Sequence, residues 1–169
     1  MTWPPAAPTL VSMTITLHAT TVALGGRGVV LRGPSGSGKS DLALRLLDDG
    51  RGDARLVADD YTEVTADPTS AAGLTGAAPA AIAGLLEVRG VGILRLPAAW
   101  LHAGPVPLRL VVDLVRPEAV ERLPPADAAV ELLPGHRLPL VRLDPFAASA
   151  PAKVRLALML AVGDILQTP

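Results

Sequence analysis

Polar and apolar residues alternate from Ser12 to Leu17, and β-branched residues run through Thr20–Leu24, so both stretches predict strands. Gly25, Gly26 and Gly28 then turn the chain into Val29, Val30 and Leu31, an apolar run of the kind buried on both faces of a sheet. A glycine-rich loop follows and leads into a predicted helix over Lys39–Leu47. Its polar residues Asp41, Arg45 and Asp48 fall on one face, with Leu42, Leu46 and Leu47 on others. Leu56–Ala58 reads as a short buried strand ending in Asp59 and Asp60. Asp67–Pro79 is rich in Ala, Gly, Ser, Thr and Pro and is expected to form a mobile loop. Leu85–Leu96 predicts a strand broken by Gly90 and Gly92, Leu108–Val115 a further strand, and Glu118–Leu123 a short helix. Val130–Leu133 and Leu138–Leu143 are strand candidates between prolines, and Ala150–Gln167 predicts a closing helix. Strands alternate with helices but several strands follow one another directly. The expected class is α/β, a mixed sheet with flanking helices.

Composition narrows this. A chain of 169 residues suits one domain that buries roughly 70% of its unfolded surface, here expected over residues 12–169 behind a loose Pro- and Ala-rich leader at 1–11. Half the residues are hydrophobic and 18% are charged, which excludes disorder over most of the length. With aromatics at 2%, the core must be built from Leu, Val, Ile and Ala. A net charge of −1 gives no general attraction to nucleic acid. Without cysteine there are no disulfides, thiolate metal sites or cysteine nucleophile. Met1–Leu10 carries no basic residue and three prolines, unlike a signal peptide. The most apolar stretch, Val154–Leu166, is interrupted by Arg155 and Asp164 and is too short to span a bilayer. The expectation is a soluble, cytoplasmic protein with no membrane partner. The closing helix is apolar on nearly every side between Leu156 and Leu166, which predicts either burial against the sheet or a subunit interface.

The chemistry begins at Gly33-Pro34-Ser35-Gly36-Ser37-Gly38-Lys39-Ser40, which satisfies G-x-x-x-x-G-K-[ST]. Glycines let backbone N–H groups turn inward and cradle phosphate oxygens, and the following helix aims its positive end at the same place. Lys39 would reach the β- and γ-phosphates of ATP, and the Ser40 hydroxyl would join a Mg2+ shell. With ordinary residue usage the pattern arises by chance about once in 30,000 positions. A buried strand before it and an amphipathic helix after it supply the expected context.

Such a loop needs a carboxylate from a neighbouring strand end, to hold Mg2+ or to activate the acceptor. Val57-Ala58-Asp59-Asp60 offers two acids and Leu110-Val111-Val112-Asp113 offers one. Residue chemistry alone leaves both open, although two adjacent acids could divide the metal and proton roles.

Four features in order resemble the HPr kinase/phosphorylase family, specifically its carboxy-terminal catalytic domain. His18 lies fifteen residues before Gly33, where the family has a catalytic histidine. The loop GPSGSGKS is similar to the family's GxSGxGKS form. Leu56–Asp60 resembles the LVADD segment, and Leu86-Glu87-Val88-Arg89-Gly90-Val91-Gly92-Ile93 resembles the signature around IEIRGLGI. The resemblance spans Ser12 to Ile93. It implies a PEP carboxykinase-like nucleotide-binding core, ATP and Mg2+ as cofactors, ring-like homo-oligomers, and phosphorylation of a serine on HPr or a related phosphocarrier of a bacterial phosphotransferase system.

Carried onto this chain, the resemblance makes Asp59 the acceptor of the serine proton, and its donor in the reverse direction. It sets His18 beside Asp59 to tune it. Ser40 and Glu87 would bind Mg2+ with Asp60 close by, Lys39 would neutralise phosphoryl charge, and Arg89, two residues after Glu87 and expected on the same strand face, could contact the transferred phosphate. Glu121-Arg122-Leu123 looks like the family's D-R-L segment and makes Arg122 a candidate catalytic arginine. Asp113 then becomes the lesser candidate for the metal acid, and His102 and His136 read as structural.

The chain departs from the family pattern in three places. Only about seventeen residues precede His18, so the family's separate amino-terminal domain is not expected here. Arg51–Arg55 lengthens the connection to the paired aspartates. The P-V-x-x-G-R-N segment tied to dephosphorylation stands here as Pro139–Pro145 without its Gly and Asn. Two other functions remain open. A small-molecule kinase would want an arginine-rich lid, which Asp67–Pro79 does not supply. A nucleotide-binding regulator would bind ATP without transferring phosphate.

Overall fold

The computed structural model describes residues 13–167. The leader at 1–11 and Ser12 lie outside the described residues. The strands are β1 (Thr14–Leu24), β2 (Arg27–Arg32), β3 (Ala54–Ala58), β4 (Tyr61–Ala66), β5 (Leu74–Ala77), β6 (Leu85–Val88), β7 (Gly92–Arg95), β8 (Val106–Leu114), β9 (Ala129–Leu133) and β10 (His136–Leu143). The helices are α1 (Lys39–Leu47) and α2 (Ala150–Ala161).

Eight strands form one mixed sheet, in which β8 runs parallel to both β2 and β10 and the remaining pairings are antiparallel. The two strands expected before Gly25 are one. β1 continues through His18, pairing with β4 over residues 14–18 and with β2 and β3 beyond. The pairings β1–β4, β4–β5, β5–β8, β8–β2 and β2–β1 close a circuit, so the sheet curls and has two distinct faces.

Two cores follow from side-chain alternation, with a register shift between Leu108 and Leu110 of β8 that sends these two leucines to opposite faces. Val29 and Leu31 of β2 join Leu110, Val112 and Leu114 of β8 against Leu42 and Leu46 of α1 and Val154 and Leu158 of α2. Val30 and Val111 point the other way, into a core with Val64, Leu74 and Leu108. The period-2 alternation on strands buried on both sides explains the unbroken apolar runs read in the sequence. This packing anchors α1, and hence the loop before it, to the centre of the sheet.

Several expectations change. Asp67–Pro79 is not a mobile loop: β4 and β5 form a hairpin, and Asp67 accepts hydrogen bonds from the Thr69 N–H and hydroxyl to make its turn. Its small residues reflect close packing, since a Cβ on Gly76 would lie 2.8 Å from Leu108 Cδ2. The broken strand over Leu85–Leu96 is a two-stranded hairpin, β6–β7, standing off the main sheet. Only one 3-10 turn, Pro117–Ala119, appears near the helix expected over Glu118–Leu123. The helix α2 stops at Ala161 rather than Gln167. Gly163 takes φ 81°, and the N–H groups of Gly163 and Asp164 return to the carbonyls of Leu160 and Met159. That is a Schellman ending, which glycine permits. α2 buries Ala150, Val154 and Leu158 but leaves Leu156, Met159 and Leu160 exposed. Among the described residues no helix is long and apolar enough to cross a membrane.

Candidate active site

The loop between β2 and α1 forms one wall of a cleft. Gly36 and Gly38 take φ 78° and 88°, conformations that side chains resist. A Cβ on Gly33 would sit 2.4 Å from the Ser37 hydroxyl oxygen, so the loop closes on itself only with glycine there. Ser37 donates its N–H to the Pro34 carbonyl, while its hydroxyl is buried without a hydrogen-bond partner. The first intrahelical bond of α1 runs from Leu42 N–H to the Gly38 carbonyl. The N–H groups of Lys39, Ser40 and Asp41 therefore have no acceptor within the helix, as at any helix start. Lys39 is 6% exposed and folds back, donating to the carbonyls of Gly33 (3.0 Å) and Pro34 (3.2 Å). Burial holds its pKa below the ordinary lysine value, opposed by the charges of Asp60 and Asp59. Helix-start N–H groups without intrahelical acceptors and a partly desolvated cation are a donor set suited to phosphate oxygens.

The paired aspartates end β3 and diverge. Asp59 is 6% exposed, and both its oxygens are engaged. Ser40 Oγ and Thr20 Oγ1 each donate to Oδ1 at 2.8 Å, and the Glu87 backbone N–H donates to Oδ2 at 3.0 Å. Asp59 thus clamps β1, α1 and β6 together. Asp60 is exposed instead. It is the one non-glycine residue with positive φ (62°) among the described residues, and its side chain lines the cleft. Its carbonyl accepts from Ala19 N–H, which fixes it next to His18. The acid set to receive a proton, Asp59, is buried and hydrogen-bonded against Ser40, and the acid set beside the metal, Asp60, faces the open cleft.

His18, Glu87 and Arg89 also line the cleft. His18 packs its ring against Tyr61, centroids 5.6 Å apart, directly across the β1–β4 ladder. It lines the cleft together with Asp60. Arg89 lies in the turn after β6 instead of on its strand face. Arg122 is not brought in: it is exposed past the Pro117–Ala119 turn and does not line the cleft. Asp113 is removed from metal candidacy by Arg32, whose Nε and Nη2 donate to its two oxygens at 2.8 and 3.0 Å. His102 Nδ1 lies 3.1 Å from the Gly104 carbonyl oxygen, and His136 packs on Gly73, both away from the site. Thr20 and Phe146 were not singled out by sequence. Thr20 sits in a run of β-branched strand residues, and Phe146 directly follows the Pro139–Pro145 segment that departs from the family pattern.

Among the described residues no three His, Cys, Asp or Glu side chains converge on one point. The hard oxygens of Ser40 and Asp59 with Glu87 nearby suit Mg2+, which keeps several waters and takes phosphate oxygens alongside one or two carboxylates.

Comparison with known proteins follows the same lines. HPr kinase/phosphorylase of Bordetella pertussis is 38% identical over 126 residues, 71% of this chain and 39% of that protein. The Leptothrix cholodnii protein of the same name is 39% identical over 108 residues, 62% of this chain and 32% of that one. The chain therefore spans under two-fifths of the length of these curated relatives. The structure of the Hpr(Ser) kinase/phosphatase from Coxiella burnetii superposes with a TM-score of 0.69 at 24% identity, covering 89% of this chain and 90% of that one, which establishes a shared fold. The family model described as HPr Serine kinase C-terminal domain matches residues 9–141, and the chain belongs to that family.

Proposed function

We propose that this chain is the catalytic domain of an ATP- and Mg2+-dependent kinase that phosphorylates a serine of HPr or a related phosphocarrier. The observation that carries this reading is the divergence of the adjacent aspartates, one locked to Ser40 and the other presented to the cleft beside His18. Such a pair can serve metal and acceptor separately.

In this reading the loop amides and Lys39 hold the triphosphate. Ser40 and Asp59, with Glu87 beside them, would hold Mg2+, which would supply positive charge to offset that of the phosphates. Asp60 takes the proton of the incoming serine hydroxyl as its oxygen bonds to the γ-phosphorus and the bond to the ADP oxygen breaks. His18 orients and tunes Asp60 from the same wall. Arg89 contacts the transferred phosphoryl group. Phosphorolysis would run the same groups backward, with Asp60 returning the proton. The substrates place the reaction in the cytoplasm, and the apolar side chains exposed on α2 support a homo-oligomer.

The test is incubation with γ-labelled ATP, Mg2+ and HPr, followed by mapping of the label. Transfer to a carrier serine is expected. Asp60→Asn should abolish transfer while nucleotide still binds, and Asp59→Asn should raise the Mg2+ concentration required. If Asp60→Asn phosphorylates the carrier at the unaltered rate, the proton-acceptor assignment fails. ATP binding without transfer to any carrier would favour a regulator instead.

A further inference from the structure

The chain has a single phenylalanine, and it lies 68% exposed on the wall of the cleft. A large apolar ring in that position loses the burial that ordinarily justifies it. It is also firmly held. Asp144 Oδ1 accepts from Phe146 N–H at 3.0 Å, closing a turn. Arg45 of α1 donates to the Pro145 carbonyl and, at 3.5 Å, to the Ala147 carbonyl, and its Nε pairs with Asp41 at 3.0 Å. The ring edge rests on the loop itself: a Cβ on Gly38 would meet Phe146 Cζ at 3.1 Å. One arginine thus fixes the Phe146 segment to the helix that begins the phosphate site.

Direction along the site then matters. Ser40 faces Asp59 on one flank of α1, with the Glu87 N–H on the other oxygen of that carboxylate, which is the metal side. Asp41 and Arg45, four residues apart, share the next flank, and Phe146 is tied to that one. Phosphoryl transfer needs the acceptor and the leaving diphosphate in line on opposite sides of the γ-phosphorus. The nucleoside of the leaving ADP therefore points away from Asp60, toward the Phe146 flank.

We propose that Phe146 is the stacking platform for the nucleobase of the bound nucleotide, a specificity element that distinguishes nucleotides from bare polyphosphates. The idea rests on the phosphate-loop reading given above. A ring face stacks on any base, so it reads the presence of a base and not its identity.

The experiment is calorimetric titration of the chain with Mg2+ and each of ATP, GTP and inorganic tripolyphosphate, for the unaltered protein and for Phe146→Ala and Phe146→Trp. Phe146→Ala should weaken ATP and GTP by about tenfold and leave tripolyphosphate unchanged. Phe146→Trp should retain nucleotide affinity, with its indole fluorescence changing on ATP but not on tripolyphosphate. Equal losses for ATP and tripolyphosphate, or no loss for either, overturn the stacking role. Unaltered protein that binds tripolyphosphate as well as ATP overturns it too, while leaving the phosphate loop intact. Failure to bind any of the three overturns both.

Discussion

Three donors converge on two oxygens at Asp59, and the least conspicuous of them, Thr20, is fully buried. Replacing Thr20 with valine keeps the shape but takes one hydroxyl from a buried carboxylate, which costs about 1–3 kcal/mol. Denaturant titration should show that loss, Thr20→Ser should recover most of it, and the Mg2+ dependence of nucleotide binding should shift only in the valine variant. A valine variant as stable as the parent would mean that Thr20 adds nothing to the clamp. The phosphate loop was legible in the sequence because only glycine can make its turns, and glycines are visible as letters. The burial of Asp59 and the exposure of Asp60 were not legible. Adjacent residues leave a strand in opposite directions, and the φ of 62° that aims Asp60 into the cleft is set by the β1–β4 ladder and the Ala19–Asp60 bond. Arg122 was placed by resemblance to a three-letter segment, too short to fix a position in space.

The lengthened connection between α1 and β3 is tied down by α2. Arg155, with its side chain 12% exposed, donates from Nε to Asp49 at 2.8 Å and from Nη1 to Asp53 at 2.9 Å. The hydrogen bond from Arg155, ahead of the opposing cost of burial, holds the Asp53 carboxyl below the usual carboxylate range. A depressed carboxylate pKa contributes stability that is fully present above the unfolded value near 3.8 and is lost as pH falls through the folded value. Asp53 is substantially exposed, so solvent screening limits the effect. Asp53→Asn should cost up to about 1 kcal/mol at neutral pH. The gap between the two proteins in denaturant midpoint should close as pH drops below 3.8; a gap that persists unchanged in acid would separate it from this ion pair. Elements with a strong single period, such as α1, β2 and β8, were legible in sequence. The β4–β5 hairpin was not, because Gly76 is required by the approach of Leu108, and composition reads such a residue as a loop. The stop of α2 at Gly163 was legible in principle: an apolar run past a glycine looks helical only when the glycine is ignored.

At the scale of the molecule, one sheet serves two cores, and the site draws on both. The core beneath α1 and α2 sets the phosphate loop, while β1 and β4, which carry His18 and flank Asp60, pack partly over the other. Leu110 and Leu108 sit on one strand, fully buried, and belong to opposite cores. If the sheet couples the cores, Leu110→Ala and Leu108→Ala should each cost about 2–5 kcal/mol in the same single transition, followed by far- and near-ultraviolet circular dichroism together. Nucleotide with Mg2+ at about a hundred times its Kd should then add about 2.7 kcal/mol to either variant, because the ligand binds only the folded chain. A Leu108→Ala protein that melts in two steps, with the ligand stabilising only the later one, would mean that the phosphate-loop half folds by itself. The cleft wall with His18 and Asp60 would in that case be a separable unit. The circuit of strand pairings joining β1, β4, β5, β8 and β2 argues for the single transition, since opening the far core disturbs β1 and β8, the two hydrogen-bonded neighbours of the strand that leads into the loop.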